Sequence, residues 1–329
     1  MTRPTEDGLI ATYFAPLAGP GGLGLLDDAA LITPPPGQDL VLTQDALVAG
    51  VHFFPDDPPE KIARKALRVN LSDLAAKGAD PLGFLLALAL PRDWSADWLA
   101  EFAIGLGEDA KTFGCPLLGG DTVKTSGPLT LSITALGSVP SGKMVRRTGV
   151  MSDDLIYVTG TIGDAALGLK LRPAADAPWS RGLSPAARAF LLDRYLLPQP
   201  RLALAPLLQS LAHGAMDVSD GFVGDLTKML RVSGVGARID ITRVPLSPAA
   251  REAIAAEPEL LDAALTGGDD YEITAAVPPE RRAAFEVGAK ALGVRVSLIG
   301  AALDKIAPIL FIGGDGKPKS FARGSFSHF

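Results

Sequence analysis

Two series of short apolar runs alternate with helical segments, parted by one turn-rich, basic stretch, and this constrains the fold more than any other feature. In the first series, residues 39–47 read as a strand. Residues 59–77 read as a helix, with Ile62, Ala66, Val69 and Leu74 at helical spacing. Gly78 suits the position just past that helix and Pro81 lies beyond it. The continuous apolar run 84–90, closed by Pro91, predicts a buried strand; 94–113 predicts a second helix and 129–139 an alternating strand. Residues 141–154 are rich in turn formers and carry Lys143, Arg146 and Arg147, which places a domain boundary there, between 1–145 and 146–329. The second series predicts strands at 155–159, 237–241, 271–277 and 294–299. Its helices are predicted at 163–171, 185–196, 201–212, 221–232, 247–256 and 279–292. Such alternation implies a two-domain α/β and α+β protein.

A length of 329 residues fits two domains, and 47% hydrophobic against 21% charged residues describes a globular chain. The net charge of −6, with 31 scattered Lys and Arg, excludes a basic nucleic-acid footprint. A single cysteine, Cys115, excludes an internal disulfide framework and predicts a small buried hydrophobe. The first residues contain no apolar core of a secretory signal, and the most apolar run, 81–91, falls well short of the roughly 20 residues that span a bilayer. The expectation is a cytoplasmic protein with neither a membrane nor a nucleic-acid partner.

Chemistry is signalled by the aspartates. Asp27, Asp28, Asp45, Asp73, Asp121, Asp217, Asp220, Asp269 and Asp270 sit beside Gly, Ser or Thr near predicted strand ends, where a rigid sheet positions functional groups. Aspartates are also ordinary turn formers, so any one of these sites alone carries little weight. In M-D-V-S-D-G (216–221), two carboxylates three residues apart raise each other's pKa unless a cation lies near. Aspartate clusters without cysteine, in a chain with three histidines, suit hard cations such as Mg²⁺, which shares its shell with substrate phosphates. Asn70, Asp73 and Lys77 fall on one face of the first helix. There is no G-x-x-x-x-G-K-[ST], so phosphates would be held by metal, helix N-termini and a few cations, of which Arg147 in R-T-G (147–149) is the best placed. His52, in V-A-G-V-H-F-F, reads equally as a packed histidine or a ligand contact.

Taken in order along the chain, these segments resemble the thiamine-monophosphate kinase family of the aminoimidazole ribonucleotide synthetase superfamily. The matching stretches are D-G-L-I-A-T-Y-F (7–14), D-D-A-A-L (27–31), Q-D-A-L-V-A-G-V-H-F (44–53), K-A-L-R-V-N-L-S-D-L-A-A-K-G-A-D-P (65–81) and L-L-G-G-D-T (117–122). R-T-G, Y-V-T-G-T-I-G-D (157–164), M-D-V-S-D-G, L-T-G-G-D-D-Y-E (265–272) and F-S-H-F (326–329) follow. The resemblance implies transfer of the γ-phosphoryl group of ATP to thiamine monophosphate, with several Mg²⁺ ions and a homodimer. It implies an N-terminal α/β domain whose sheet joins its mate's in a barrel, a C-terminal α+β domain, and ATP in the cleft between them. It assigns Asp28, Thr43, Gln44, Asp45, Asp73, Asp121, Asp217 and Asp220 to metal, with Asp45, Asp121 and Asp217 at the heart of the cage. Gly120, Asp121, Arg147 and Ser219 go to ATP, and His52, Asp269 and Phe326 to the substrate. No general base is required, since the acceptor is a phosphate oxygen already anionic near neutral pH.

Three positions depart from the family pattern: Leu26 replaces a glycine before the aspartate pair, Gln44 a Ser or Thr, and Asp269 a glutamate. The first predicts a reshaped turn, the second metal ligation through the backbone, the third a shorter reach to substrate. The alternatives are a nucleotide-binding module without turnover, another ATP-using member of the superfamily, and a metal-dependent phosphohydrolase.

Overall fold

The computed structural model describes residues 5–174 and 176–326. Backbone contacts divide the chain into two units: unit 1 holds residues up to Leu74 and Ala79–Gly142, and unit 2 holds Ala75–Gly78 and everything from Lys143 onward.

Unit 1 is a four-stranded sheet with order β1-β4-β2-β3, formed by β1 (Gln38–Val48), β2 (Asp80–Leu90), β3 (Leu117–Lys124) and β4 (Thr130–Pro140). β4 is antiparallel to both β1 and β2, whereas β3 runs parallel to β2 across the Ala96–Thr112 helix. That helix starts on Ser95, whose hydroxyl accepts from the Trp98 amide at 3.1 Å. The Pro59–Ala76 helix buries Ile62, Ala66, Leu67, Leu71 and Leu74. Both helices cover one face of the sheet only. Strand 84–90 is therefore not buried throughout, as its apolar run predicts: Leu86 and Leu88 point into the core, while Leu85 and Ala87 are exposed. Leu40, Leu42 and Val123 are exposed as well. Cys115 is fully buried, and burial pushes its thiol up to about 12, against a weaker opposing hydrogen bond from the Gly83 backbone.

Unit 2 is a six-stranded mixed sheet, ordered β10-β7-β9-β5-β8-β6. It comprises β5 (Leu155–Thr159), β6 (Gly214–Asp217), β7 (Gly236–Asp240), β8 (Ile273–Val277), β9 (Val296–Leu303) and β10 (Ile309–Ile312). All its pairings are antiparallel except β10 with β7. Both faces are covered, because β5 alternates between two cores: Ile156 and Val158 pack with Phe222 and Leu226, and Tyr157 packs with Phe285 and Leu208. Among the described residues, no helix is long and apolar enough to cross a membrane.

Candidate active site

In unit 1 the predicted residues fall on β1, β3, the Pro59–Ala76 helix and two loops that carry Asp28 and His52, and strand alternation sorts those of β1 onto two faces. Thr43 and Asp45 face the helix side: the Thr43 hydroxyl donates to the Asp73 carboxylate, and the Asp45 amide donates to Asn70 Oδ1 at 3.1 Å. Asn70 is fully buried and donates back to the Ala66 carbonyl at 3.0 Å, so the helix positions both contacts rigidly. Gln44 lies on the opposite face, where its amide donates to Ser132 Oγ at 3.1 Å; Ser132 in turn donates to the Asp45 carbonyl at 3.1 Å.

That open face carries a cleft of about 880 Å³ lined by Asp28, Gln44, Gly120, Asp121 and Thr134, among others. Its size is that of a small-molecule site. Asp28 and Asp121 are exposed. The Asp28 amide donates to Asp27 Oδ1 at 2.8 Å, a contact between adjacent residues that ties the pair together. Leu26, where the resemblance implies glycine, takes ordinary right-handed backbone angles (φ −102°, ψ −4°), and the left-handed residues lie just upstream at Leu23 and Leu25. Gly120 approaches β2 so closely that a Cβ there would stand 1.9 Å from the Leu86 carbonyl oxygen. His52 accepts the Val48 amide on Nδ1 at 3.0 Å, which leaves its ring proton on Nε2 in the neutral form.

Lys77, near the end of the Pro59–Ala76 helix, donates its ammonium to the Ala215 carbonyl at 3.0 Å; Ala75–Gly78 and Ala215 both belong to unit 2.

In unit 2, β6 delivers Asp217, which is buried, into the loop that precedes the Phe222–Ser233 helix. This loop is organised by a residue that sequence reasoning missed. Asp225 is fully buried, and its Oδ2 accepts the amides of Ser219, Asp220 and Gly221 at 3.1, 2.8 and 3.0 Å. Burial raises the Asp225 pKa above the usual carboxylate range, and Lys228 opposes that shift. An aspartate in the first turn of a helix reads as an ordinary favourable charge, so only its spacing from Gly221 hinted at this role. The three amides therefore turn inward onto Asp225 rather than outward to a ligand. Asp220 keeps its carboxylate half-exposed, where Lys228 Nζ sits 2.6 Å away.

The G-G-D-D-Y-E segment is zipped to this loop. The Asp269 amide donates to the Ser219 carbonyl at 2.7 Å and the Tyr271 amide to the Val218 carbonyl at 2.8 Å, with both residues at positive φ (63° and 50°). Two buried acids hold that conformation. Asp270 accepts the Gly163 amide at 2.8 Å, and burial raises its pKa well above the usual range. Glu272 accepts from Thr159 Oγ1 at 2.6 Å and from Arg201 Nε at 2.7 Å, with Arg194 at 3.3 Å. Phe326 is half-exposed, and its amide donates to the Asp220 carbonyl at 2.9 Å. The last part of F-S-H-F, Ser327 to Phe329, lies outside the described residues. Arg147 extends into solvent while its carbonyl accepts from Ser233 Oγ at 2.9 Å.

Among the described residues, no three Asp, Glu, His or Cys side chains stand close enough to hold a metal by themselves. The donor set is nonetheless entirely oxygen, and Asp28, Asp121 and Asp220 are accessible. Mg²⁺ needs only one or two carboxylates when water and substrate phosphates complete its shell, so these residues fit that ion.

Both halves of the chain are similar to known proteins. Residues 26–139 match the family model described as AIR synthase related protein, N-terminal domain, and 152–310 match its C-terminal domain. A thiamine-monophosphate kinase of Caulobacter vibrioides is 45% identical over 302 residues, covering 90% of this chain and 84% of the relative. The crystal structure of thiamine-monophosphate kinase from Stenotrophomonas maltophilia K279a is 38% identical with a TM-score of 0.80, covering 90% of this chain and 91% of that chain. A structure of AaThiL complexed with AMPPCP and TMP is 28% identical with a TM-score of 0.78, covering 100% of this chain and 99% of that one. Likeness at this level, over nearly the whole length of both proteins, places the chain in the thiamine-monophosphate kinase family, built on the AIR synthase-related pair of domains.

Proposed function

We propose that this protein transfers the γ-phosphoryl group of ATP directly, in line, to the phosphate of thiamine monophosphate, giving thiamine diphosphate and ADP. The observation that carries the reading is full-length similarity to relatives of that name, one of them holding AMPPCP, an ATP analogue, together with TMP. Asp28, Thr43, Gln44, Asp45, Asp73, Asp121, Asp217 and Asp220 are the residues that would hold several Mg²⁺ ions, Gln44 through its backbone. When bound, Mg²⁺ neutralises the repulsion between two phosphate groups and stabilises the charge that develops during transfer.

The chain's own residues supply position. Gly120 gives the backbone clearance beside Asp121, and Ser219 stands between the two aspartates of D-V-S-D-G. Arg147, extended into solvent, offers a planar guanidinium that matches phosphate oxygens. His52, with its proton on Nε2, is a donor suited to an anionic group. Asp269 supplies a fixed carboxylate and Phe326 an aromatic face for the thiamine rings. No residue has to remove a proton, because the accepting phosphate oxygen is already anionic near neutral pH, so alignment is the whole task.

The protein also works as a cytoplasmic homodimer on this reading. The face of the unit 1 sheet that no helix covers carries exposed Leu40, Leu42, Leu85 and Val123, an apolar surface that a second copy would bury. Sedimentation of the purified protein tests this point.

The deciding experiment incubates purified protein with ATP, Mg²⁺ and either thiamine monophosphate or free thiamine. ADP and thiamine diphosphate should form from the monophosphate alone. ATP binding without turnover would instead indicate a nucleotide-binding module, and release of inorganic phosphate without an acceptor a phosphohydrolase.

A further inference from the structure

The C-terminal segment of unit 2 returns across the helix that follows D-V-S-D-G and is fastened at two places. At the near end, the Lys319 amide donates to the Phe311 carbonyl at 2.7 Å, and Phe321 stacks edge-on against Phe311, which meets Phe222 of the helix in the same manner. At the far end, the Phe326 amide donates to the Asp220 carbonyl at 2.9 Å. Between these points the backbone must lie flat on the helix, and it does so over Gly224. A Cβ built at Gly224 would stand 2.4 Å from Ser325 Cβ, 2.6 Å from Ser325 Oγ and 2.9 Å from the Gly324 carbonyl oxygen. Gly224 lies inside a helix, has no positive φ, and would be replaced by alanine to the helix's advantage if propensity alone decided. Clearance is what a glycine supplies there.

We infer that Gly224 is a positioning residue: it seats the 324–326 backbone so that the half-exposed Phe326 ring is held beside Asp220 and presented to the thiamine rings. The inference rests on the reading of Phe326 as a substrate contact, and it adds a consequence. The loop that carries Asp217 and Asp220 and the aromatic ring that meets the substrate become one rigid piece, joined through Gly224 and through the Phe326–Asp220 hydrogen bond.

Two measurements on the full-length protein test it. In Gly224→Ala, hydrogen exchange at the Phe326 amide should lose its protection, and KM for thiamine monophosphate should rise about tenfold while KM for MgATP stays within about twofold. Adding Ser325→Gly removes the two nearest clashing atoms, so the double variant should regain much of both the protection and the KM. Protection retained in Gly224→Ala, protection lost with an unchanged KM, or equal rises in both KM values would each overturn the inference. Wild-type protein that leaves thiamine monophosphate untouched would refute the proposed substrate, whereas active wild type with an indifferent Gly224→Ala would refute the seat alone.

Discussion

Lys228 Nζ sits 2.6 Å from Asp220 Oδ2 and 3.1 Å from Asp225 Oδ1, so a carboxylate assigned to magnesium already has a cation beside it. The lysine is tethered one helical turn from Asp225 and two from Asp220, and both it and Asp220 are close to half-exposed. An exposed pair of this kind is worth up to about 1 kcal/mol. A divalent ion must therefore share or displace this contact, at a cost of a few-fold in affinity. In Lys228→Gln the magnesium concentration for half-maximal activity should fall about threefold, and the difference should shrink at high salt. A magnesium titration at two ionic strengths reads both effects. An unchanged requirement would show that Asp220 does not meet the metal.

Asp121 and Asp217 differ in burial although the same role is proposed for both. Asp121 is exposed on the open face of the unit 1 sheet, whereas Asp217 is buried at the end of β6. Each Asp→Asn change removes a charge while keeping the shape. Turnover should drop ~100-fold or more in either variant, as expected when charge stabilisation of a transferring group is lost. Asp121→Asn should leave the thermal midpoint unmoved, because an exposed carboxylate contributes little to folding. Steady-state kinetics and calorimetry on the same preparations check the pair. Activity retained in both variants would remove the metal cage from the mechanism.

Much of this was legible in the sequence, and what was not has identifiable causes. The helices at 59–77 and 94–113 and the strands at 39–47 and 129–139 announced themselves by period and by flanking Gly and Pro, and the structure finds each within a few residues. β3 escaped because Gly119 and Gly120 stand inside L-L-G-G-D-T and glycines read as turns; the strand tolerates them through its close parallel approach to β2. The burial of 84–90 was overestimated, since a continuous apolar run does not reveal that helices cover only one side. The D-V-S-D-G, G-G-D-D and R-T-G motifs were visible as local runs. Asp225 and Glu272, which hold those runs in place, were not marked out, because their partners lie on backbone amides or on distant arginines; Asp270 stood out only as one of the aspartates beside glycine, not as a buried acid that holds the Gly163 amide. β10 and the Leu260–Thr266 helix are short, and no periodic signal builds up over so few residues.

Gly120→Ala provides a test of the β2–β3 contact itself. Its Cβ would be forced to 1.9 Å from the Leu86 carbonyl oxygen, and the obstacle is backbone in a paired strand rather than the end of a flexible side chain. One of the two strands has to move, which places the change with overpacking substitutions that destabilise by about 1–3 kcal/mol. Denaturant unfolding should register that loss. Activity should fall further than the stability does, because Asp121 is the next residue and shifts with the strand. Equal stability and activity to wild type would show that the strands part more easily than their packing suggests.

Asp270 fixes the sign of a pH effect in unit 2. Burial raises its pKa well above the usual value, the nearby Asp164 carboxylate adds to the shift, and the Gly163 amide opposes it. Asp164 is itself raised by burial, against hydrogen bonds from Ser247 and Thr161. The slope of stability with pH follows protons bound unfolded minus protons bound folded. With the folded pKa above the unfolded value of about 3.9, the folded state binds more protons in the window between them, and the slope there is negative. This group therefore stabilises the fold fully below the unfolded pKa, and that stabilisation is lost as pH rises through the folded value. Other carboxylates set the overall acid limb, so the comparison has to be differential. Asp270→Asn cannot ionise, retains a carbonyl oxygen for the Gly163 amide, and removes this share of the pH dependence. The gap in thermal midpoint between Asp270→Asn and wild type should thus move in the variant's favour as pH rises from about 4 toward 8. A gap that stays constant across that range would mean Asp270 titrates at an ordinary value and is held by water as well as by Gly163.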